Sequence, residues 1–129
     1  MPSSEAVTEG IRVVVRARHV AERSSPSEGH WFFAYTVRIA NESDRPVQLI
    51  SRHWVITDAT GHVEQVRGPG VIGEQPRLEP GGEFEYSSAC PLRTPFGTMH
   101  GTYQMTSDGD ESFDVEIAPF ALSEPFGIN

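Results

Sequence analysis

Apolar and polar residues alternate along several short stretches of this chain, and a period of two confines such stretches to β-strands. Ile11, Val13, Val15 and Ala17 take the odd positions of the first stretch, while Arg12, Arg16 and Arg18 take even ones. The pattern returns at Trp31, Phe33, Tyr35, Val37 and Ile39, at Phe84 and Tyr86, at Met99, Tyr103 and Met105, and at Phe113, Val115 and Ile117. Each stretch has one face to bury, which predicts Trp31, Tyr35 and Phe113 in the core.

Turn chemistry separates the stretches: Ser24-Ser25-Pro26-Ser27-Glu28-Gly29, Asn41-Glu42-Ser43-Asp44, Asp58-Ala59-Thr60-Gly61, Glu79-Pro80-Gly81-Gly82 and Ser107-Asp108-Gly109-Asp110. No segment sustains helical apolar spacing, and ten Pro and twelve Gly are scattered along the chain. The expected fold is therefore an all-β sandwich of seven to eight antiparallel strands, with residues 10–129 as one domain. Residues 1–9 and 22–29 carry no periodic apolar residues and read as a flexible N-terminal tail and a mobile loop.

The run from Val47 to Thr57 departs from simple alternation. Val47, Leu49 and Val55 share one parity; Ile50, Trp54 and Ile56 share the other. Either this is a central strand with something covering its second face, or a bulge near Ser51 and Arg52 switches the register. Under the first reading Ile50, Arg52 and Trp54, together with the Pro95-Phe96 loop, form an exposed surface for a protein partner. Under the second, Trp54 turns into the core.

Composition removes several functions. A chain of 129 residues buries about two thirds of its unfolded surface, and no apolar stretch approaches the roughly 20 residues that span a bilayer. No membrane insertion is expected. The polar, acidic start has no signal-peptide character, so a cytoplasmic location is expected. The net charge of −8 opposes nucleic-acid binding. The lack of lysine removes Schiff-base chemistry and a Walker-type phosphate loop. Cys90 is the sole cysteine, which leaves no internal disulfide and no cysteine zinc cluster. It reads as a small buried apolar residue.

Phe33-Ala34-Tyr35-Thr36-Val37, Arg52-His53-Trp54, the segment Gly68 to Pro76 and the segment Pro95-Phe96-Gly97-Thr98-Met99-His100-Gly101-Thr102-Tyr103 together resemble the bacterial ApaG family. The resemblance runs from about Val13 to Phe120. It implies an immunoglobulin or fibronectin type III-like sandwich. It also implies an association with cobalt tolerance and magnesium efflux, and a kinship with protein-binding domains of eukaryotic F-box and polymerase-interacting proteins. No catalytic residues come with it.

Gly68-Pro69-Gly70-Val71-Ile72-Gly73 fits G-x-G-x-x-G, a pattern whose backbone N–H groups can approach a pyrophosphate. Pro76 follows at once, Pro69 has no N–H, and no helix is expected after the motif. Two readings stay open: a structural loop in which Gly68, Gly70 and Gly73 permit tight turns, or an anion nest with Arg67 or Arg77 as counter-charge. His19, His30, His53, His62 and His100 show no metal-ligand spacing, and Asp108-Gly109-Asp110-Glu111 reads as a charged hairpin turn before a cation site. Ser87, Ser88 and Cys90 lie on a strand with no nucleophile elbow. The arginine stripe of Arg12, Arg16 and Arg18 and the acidic pair Asp114 and Glu116 read as solvated strand faces.

The leading expectation is a non-enzymatic cytoplasmic binding module without cofactor or metal, monomeric or weakly dimeric, for an unidentified protein partner. The alternatives are a pyrophosphate or dinucleotide binder using residues 68–73 and a protein that binds Mg²⁺ or Co²⁺ directly.

Overall fold

The computed structural model describes residues 2–107 and 111–125 of the chain. Among them are nine strands: β1 (Ser3–Thr8), β2 (Ile11–His19), β3 (Trp31–Asn41), β4 (Val47–Asp58), β5 (Val63–Pro69), β6 (Arg77–Leu78), β7 (Glu83–Leu92), β8 (Phe96–Ser107) and β9 (Ser112–Ser123). One antiparallel sheet has the order β1-β2-β3-β7. The other has the order β5-β4-β8-β9, with the two-residue β6 also pairing with β4. The two sheets stack as an all-β sandwich.

The expected tail is instead β1, and this raises the strand count above the seven or eight expected. Glu9 and Gly10 connect Thr8 to Ile11 with φ of 50° and 83°, the two positive values of a type I′ hairpin turn. Ala6 and Thr8 face inward in place of the large apolar residues that alternation looks for, and Thr8 Oγ1 accepts the N–H of Glu116 across the sandwich, 3.0 Å away. Residues 22–29 are also built rather than loose. Two short 3₁₀ turns (Ala21–Arg23 and Pro26–Glu28) fill the segment, and Ser25 and His30 exchange two backbone hydrogen bonds of 2.7 and 3.0 Å.

The buried faces match the alternation. Ile11, Val13, Val15, Phe33, Tyr35, Val37 and Ile39 from one sheet meet Leu49, Met99, Tyr103, Met105, Val115 and Ile117 from the other. Tyr35 is core, as expected; Trp31 and Phe113 are only half-buried and pack against its margin. Trp31 lies at the strand end, where its indole N–H donates to Glu124 Oε1 at 3.2 Å.

β4 carries the bulge that was one of its two readings. Leu49 pairs with Met105 but Ser51 pairs with Gln104, so Ile50 is the extra residue. Its carbonyl accepts from Gly70 N at 2.8 Å and Gln75 Nε2 at 2.9 Å. Before the bulge Val47 and Leu49 face inward; after it the inward set becomes Arg52, Trp54 and Ile56. Trp54 is 3% exposed and meets Tyr35, Tyr103 and Phe120 at ring centroid distances of 5.4, 6.3 and 6.0 Å. The exposed patch built on Trp54 is therefore corrected: one inserted residue moves the indole from the outer face to the core.

Prolines lie in or beside the four strands that end the two ladders, β1, β7, β5 and β9. Pro2 precedes β1, Pro69 ends β5, Pro91 lies in β7 and Pro119 in β9, while the inner strands β2, β3, β4 and β8 contain none. A strand with a neighbour on each side has no place for a residue that cannot donate to the ladder, whereas an outer strand tolerates one.

Candidate functional site

The two long sides of the sandwich differ. On one, β9 packs along β1 and β2. On the other, the outer strands β5 and β7 part and leave a cleft open to solvent. Its narrower part, about 300 Å³, has Tyr35, Ser88 and Cys90 on one wall and Arg52, Trp54, Ile56, Glu64 and Val66 on the other. It continues into a wider part of about 780 Å³ that shares Ile56, Glu64 and Pro91 and is ringed by His30, Asp58, His62 and Arg93.

Alternation and the β4 bulge set these side chains. Arg52, Trp54 and Ile56 stand opposite Gly68, Val66 and Glu64 across the β4–β5 ladder, all on the inward face. Arg52 Nη1 donates to the carbonyls of Pro69 and Gly70, both at 2.9 Å. Burial raises the pKa of the Tyr35 hydroxyl above the ordinary tyrosine value, and the nearby Ser88 side chain partly opposes that. Deeper in, the hydroxyls of Tyr86 and Tyr103 lie 2.5 Å apart, and burial raises both above the ordinary range.

Cys90 is buried and its thiol is pushed up to about 11, first by loss of solvent and then by the charge of Glu64. It stays a thiol at neutral pH, which removes the thiolate that nucleophilic chemistry requires. Among the described residues, no three His, Cys, Asp or Glu side chains gather as ligands for one ion. His19 bonds Ser24 Oγ at 3.1 Å, and His53 bonds Gln65 Oε1 at 2.7 Å on the outer face. Asp108, Gly109 and Asp110 lie outside the described residues.

The glycine segment is a strand end and a tight turn. No helix follows it. β5 runs to Pro69, and Val71 and Glu74 exchange backbone hydrogen bonds of 2.8 Å around Ile72 and Gly73, whose φ values are 42° and 80°. The amides of Gly70, Val71 and Glu74 are thus already engaged with Ile50, Glu74 and Val71. A Cβ on Gly70 would stand 2.2 Å from Glu74 O, so that glycine permits close backbone approach. Arg67 sits on the outer face opposite His53, and Arg77 on β6 binds Glu79 Oε2 at 2.9 Å.

The expected partner surface is likewise not assembled. Ile50 is the half-buried bulge residue, Arg52 and Trp54 face inward, and Pro95 and Phe96 are exposed at the far end of β8. The cleft has no sequence signature, because its walls come from positions 35, 52–66 and 88–91. The inward parity of Arg52 after a bulge was the one signal that could have found it.

The ApaG domain pattern matches residues 21–107. The chain belongs to the ApaG family. It is similar to Protein ApaG of Anaeromyxobacter sp. (strain K), 56% identical over 98% of this chain and 99% of that one. A second ApaG, from Xanthobacter autotrophicus, is 53% identical over 93% and 92% of the two chains. Among solved structures, one described as an ApaA protein from Bordetella pertussis superposes with a TM-score of 0.87 at 52% identity, covering 89% of this chain and 94% of that one. The C-terminal domain of wzt, at 9% identity, TM-score 0.56 and coverage of 98% and 80%, shares the fold alone.

Proposed function

We propose that this ApaG-family chain is a non-enzymatic binding module, and that the cleft between β5 and β7 receives an apolar side chain of a protein partner. The observation that carries this reading is the composition of the narrower part: Trp54, Ile56 and Val66 form an apolar floor reached from solvent, between a guanidinium and a carboxylate. Apolar pockets with a few placed polar groups are the usual form of recognition sites. Prolines on the outer strands oppose recognition by strand addition, which needs an unbroken row of main-chain donors. Recognition through side chains is what remains. The family association with cobalt tolerance and magnesium efflux then runs through the partner.

A photoreactive amino acid placed at Glu64 tests the proposal, with the same residue at Asp114 on the outer face of the five-stranded sheet as control. The expected result is a discrete cross-linked protein at position 64 that disappears when Val66→Asp fills the cleft with charge. Equal cross-linking at both positions, or none at 64, would overturn it. Amide shifts centred on Gly70 with ATP, or on any one region with MgCl₂ or CoCl₂, would favour the pyrophosphate or the cation reading instead.

A further inference from the structure

The outer face of the four-stranded sheet is divided by charge. Near the Glu9-Gly10 turn, Arg12 pairs with Glu5 and with Glu42 Oε2, the latter at 2.8 Å, and Arg38 pairs with Glu83 at 2.6 Å. At the other end Arg16 and Arg18 project from β2, both exposed. Arg23 stands over the ring of Phe32, its Cζ 4.6 Å from the centroid, and so continues the row beyond Arg18. None of these three joins an ion pair among the described residues.

What lies beside them is small. Arg16 pairs with Thr36 and Arg18 with Ala34 on β3; the next strand offers Ser87 and Ala89, which pair with Thr36 and Ala34. Thr36 and Ser87 satisfy each other at 2.9 Å. The face is thus a shallow shelf of short side chains, walled on one side by guanidinium groups. Arg16 and Arg18 are two residues apart, about 7 Å along the strand, the same repeat as the alternate side chains of an extended peptide.

We propose that this shelf docks an extended acidic segment of a partner protein, with alternate carboxylates set against Arg16 and Arg18. Charge complementarity selects the occupant. In a chain of net charge −8, unpaired cations held together on one face attract an anion locally, because screening over about 10 Å at 0.1 M salt hides the distant acidic groups. The site is separate from the cleft between β5 and β7, and it stands or falls independently of it.

The test titrates the full chain with a fluorescein-labelled ten-residue peptide of alternating Glu and Ser, at about 100 and about 300 mM NaCl. Binding at low salt, weakened about tenfold or more by Arg16→Glu and by Arg18→Glu with an unchanged far-ultraviolet spectrum, is the expected result. Arg67→Glu makes the same change of charge on the other sheet and should leave binding unaltered. Absence of binding at low salt, or equal weakening by Arg67→Glu, would overturn the proposal. Tighter binding of a polyphosphate of equal charge would overturn the choice of a peptide.

Discussion

The guanidinium of Arg52 lies over Gly68, so close that a Cβ there would stand 3.1 Å from both Nη1 and Nη2 and 3.2 Å from Cζ. The glycine at this point of the G-x-G-x-x-G pattern thus serves an arginine on the neighbouring strand. Arg52→Met removes two charged hydrogen bonds to Pro69 and Gly70 and should destabilise the fold by about 2 kcal/mol in urea titration. Gly68→Ala should cost less than half as much, since the guanidinium can swing aside into the cleft. A larger loss for Gly68→Ala than for Arg52→Met would show that the strand backbone, rather than Arg52, demands the glycine.

Trp54 is the residue on which the register of β4 turns. Packed on three other aromatic rings, it should cost about 3 to 5 kcal/mol when replaced by Ala. A midpoint shift equivalent to less than about 1 kcal/mol would return it to the surface.

Cys90 predicts a stability change with pH. Its folded pKa lies near 11 against a reference value of 9.0, so the unfolded chain loses the proton first as pH rises. Stability from this group is fully present below pH 9 and is lost as pH rises toward 11. Between pH 8 and pH 10 the loss should be about 1 kcal/mol, measurable as a shift in urea midpoint. Cys90→Ala should remove that part of the slope. Identical slopes in the two proteins would mean that the thiol is more solvated than its burial implies.

Ile72 holds a φ of 42° while 57% exposed, a combination that disfavours a β-branched residue. Ile72→Asn or Ile72→Gly should stabilise the chain by about 1 kcal/mol. An unchanged or lowered melting temperature would indicate packing of the side chain that offsets the backbone strain.

Much of this architecture is legible from alternation alone, because a residue's parity decides its side of a sheet wherever the strand is regular. Ile11 to Ala17 and Phe33 to Ile39 face as their parity says. The signal weakens at two places for opposite reasons. β1 presents Ser4, Ala6 and Thr8 inward, too small to register as an apolar face, although the Glu9-Gly10 turn is the kind that joins paired strands. β4 has ample apolar residues, but the extra Ile50 splits them between two parities, which left exposure and burial of Trp54 equally open. The cleft was illegible for a third reason: the parting of β5 from β7 is a tertiary relation, and none of its wall segments is unusual by itself.

The proline in or beside each outer strand has a consequence for molecules in a crowd. A protein built almost wholly of sheet can in principle lengthen by adding copies edge to edge, each new copy completing the ladder of the last. Here β1, β5, β7 and β9 each have, in the strand or beside it, a ring nitrogen that carries no hydrogen, at Pro2, Pro69, Pro91 and Pro119. Each of these prolines removes one donor from the row that an added copy would have to pair with. Exchanging Pro91 for Thr would keep a residue suited to strands while restoring one of those donors, and slow fibre growth under agitation is the behaviour to look for.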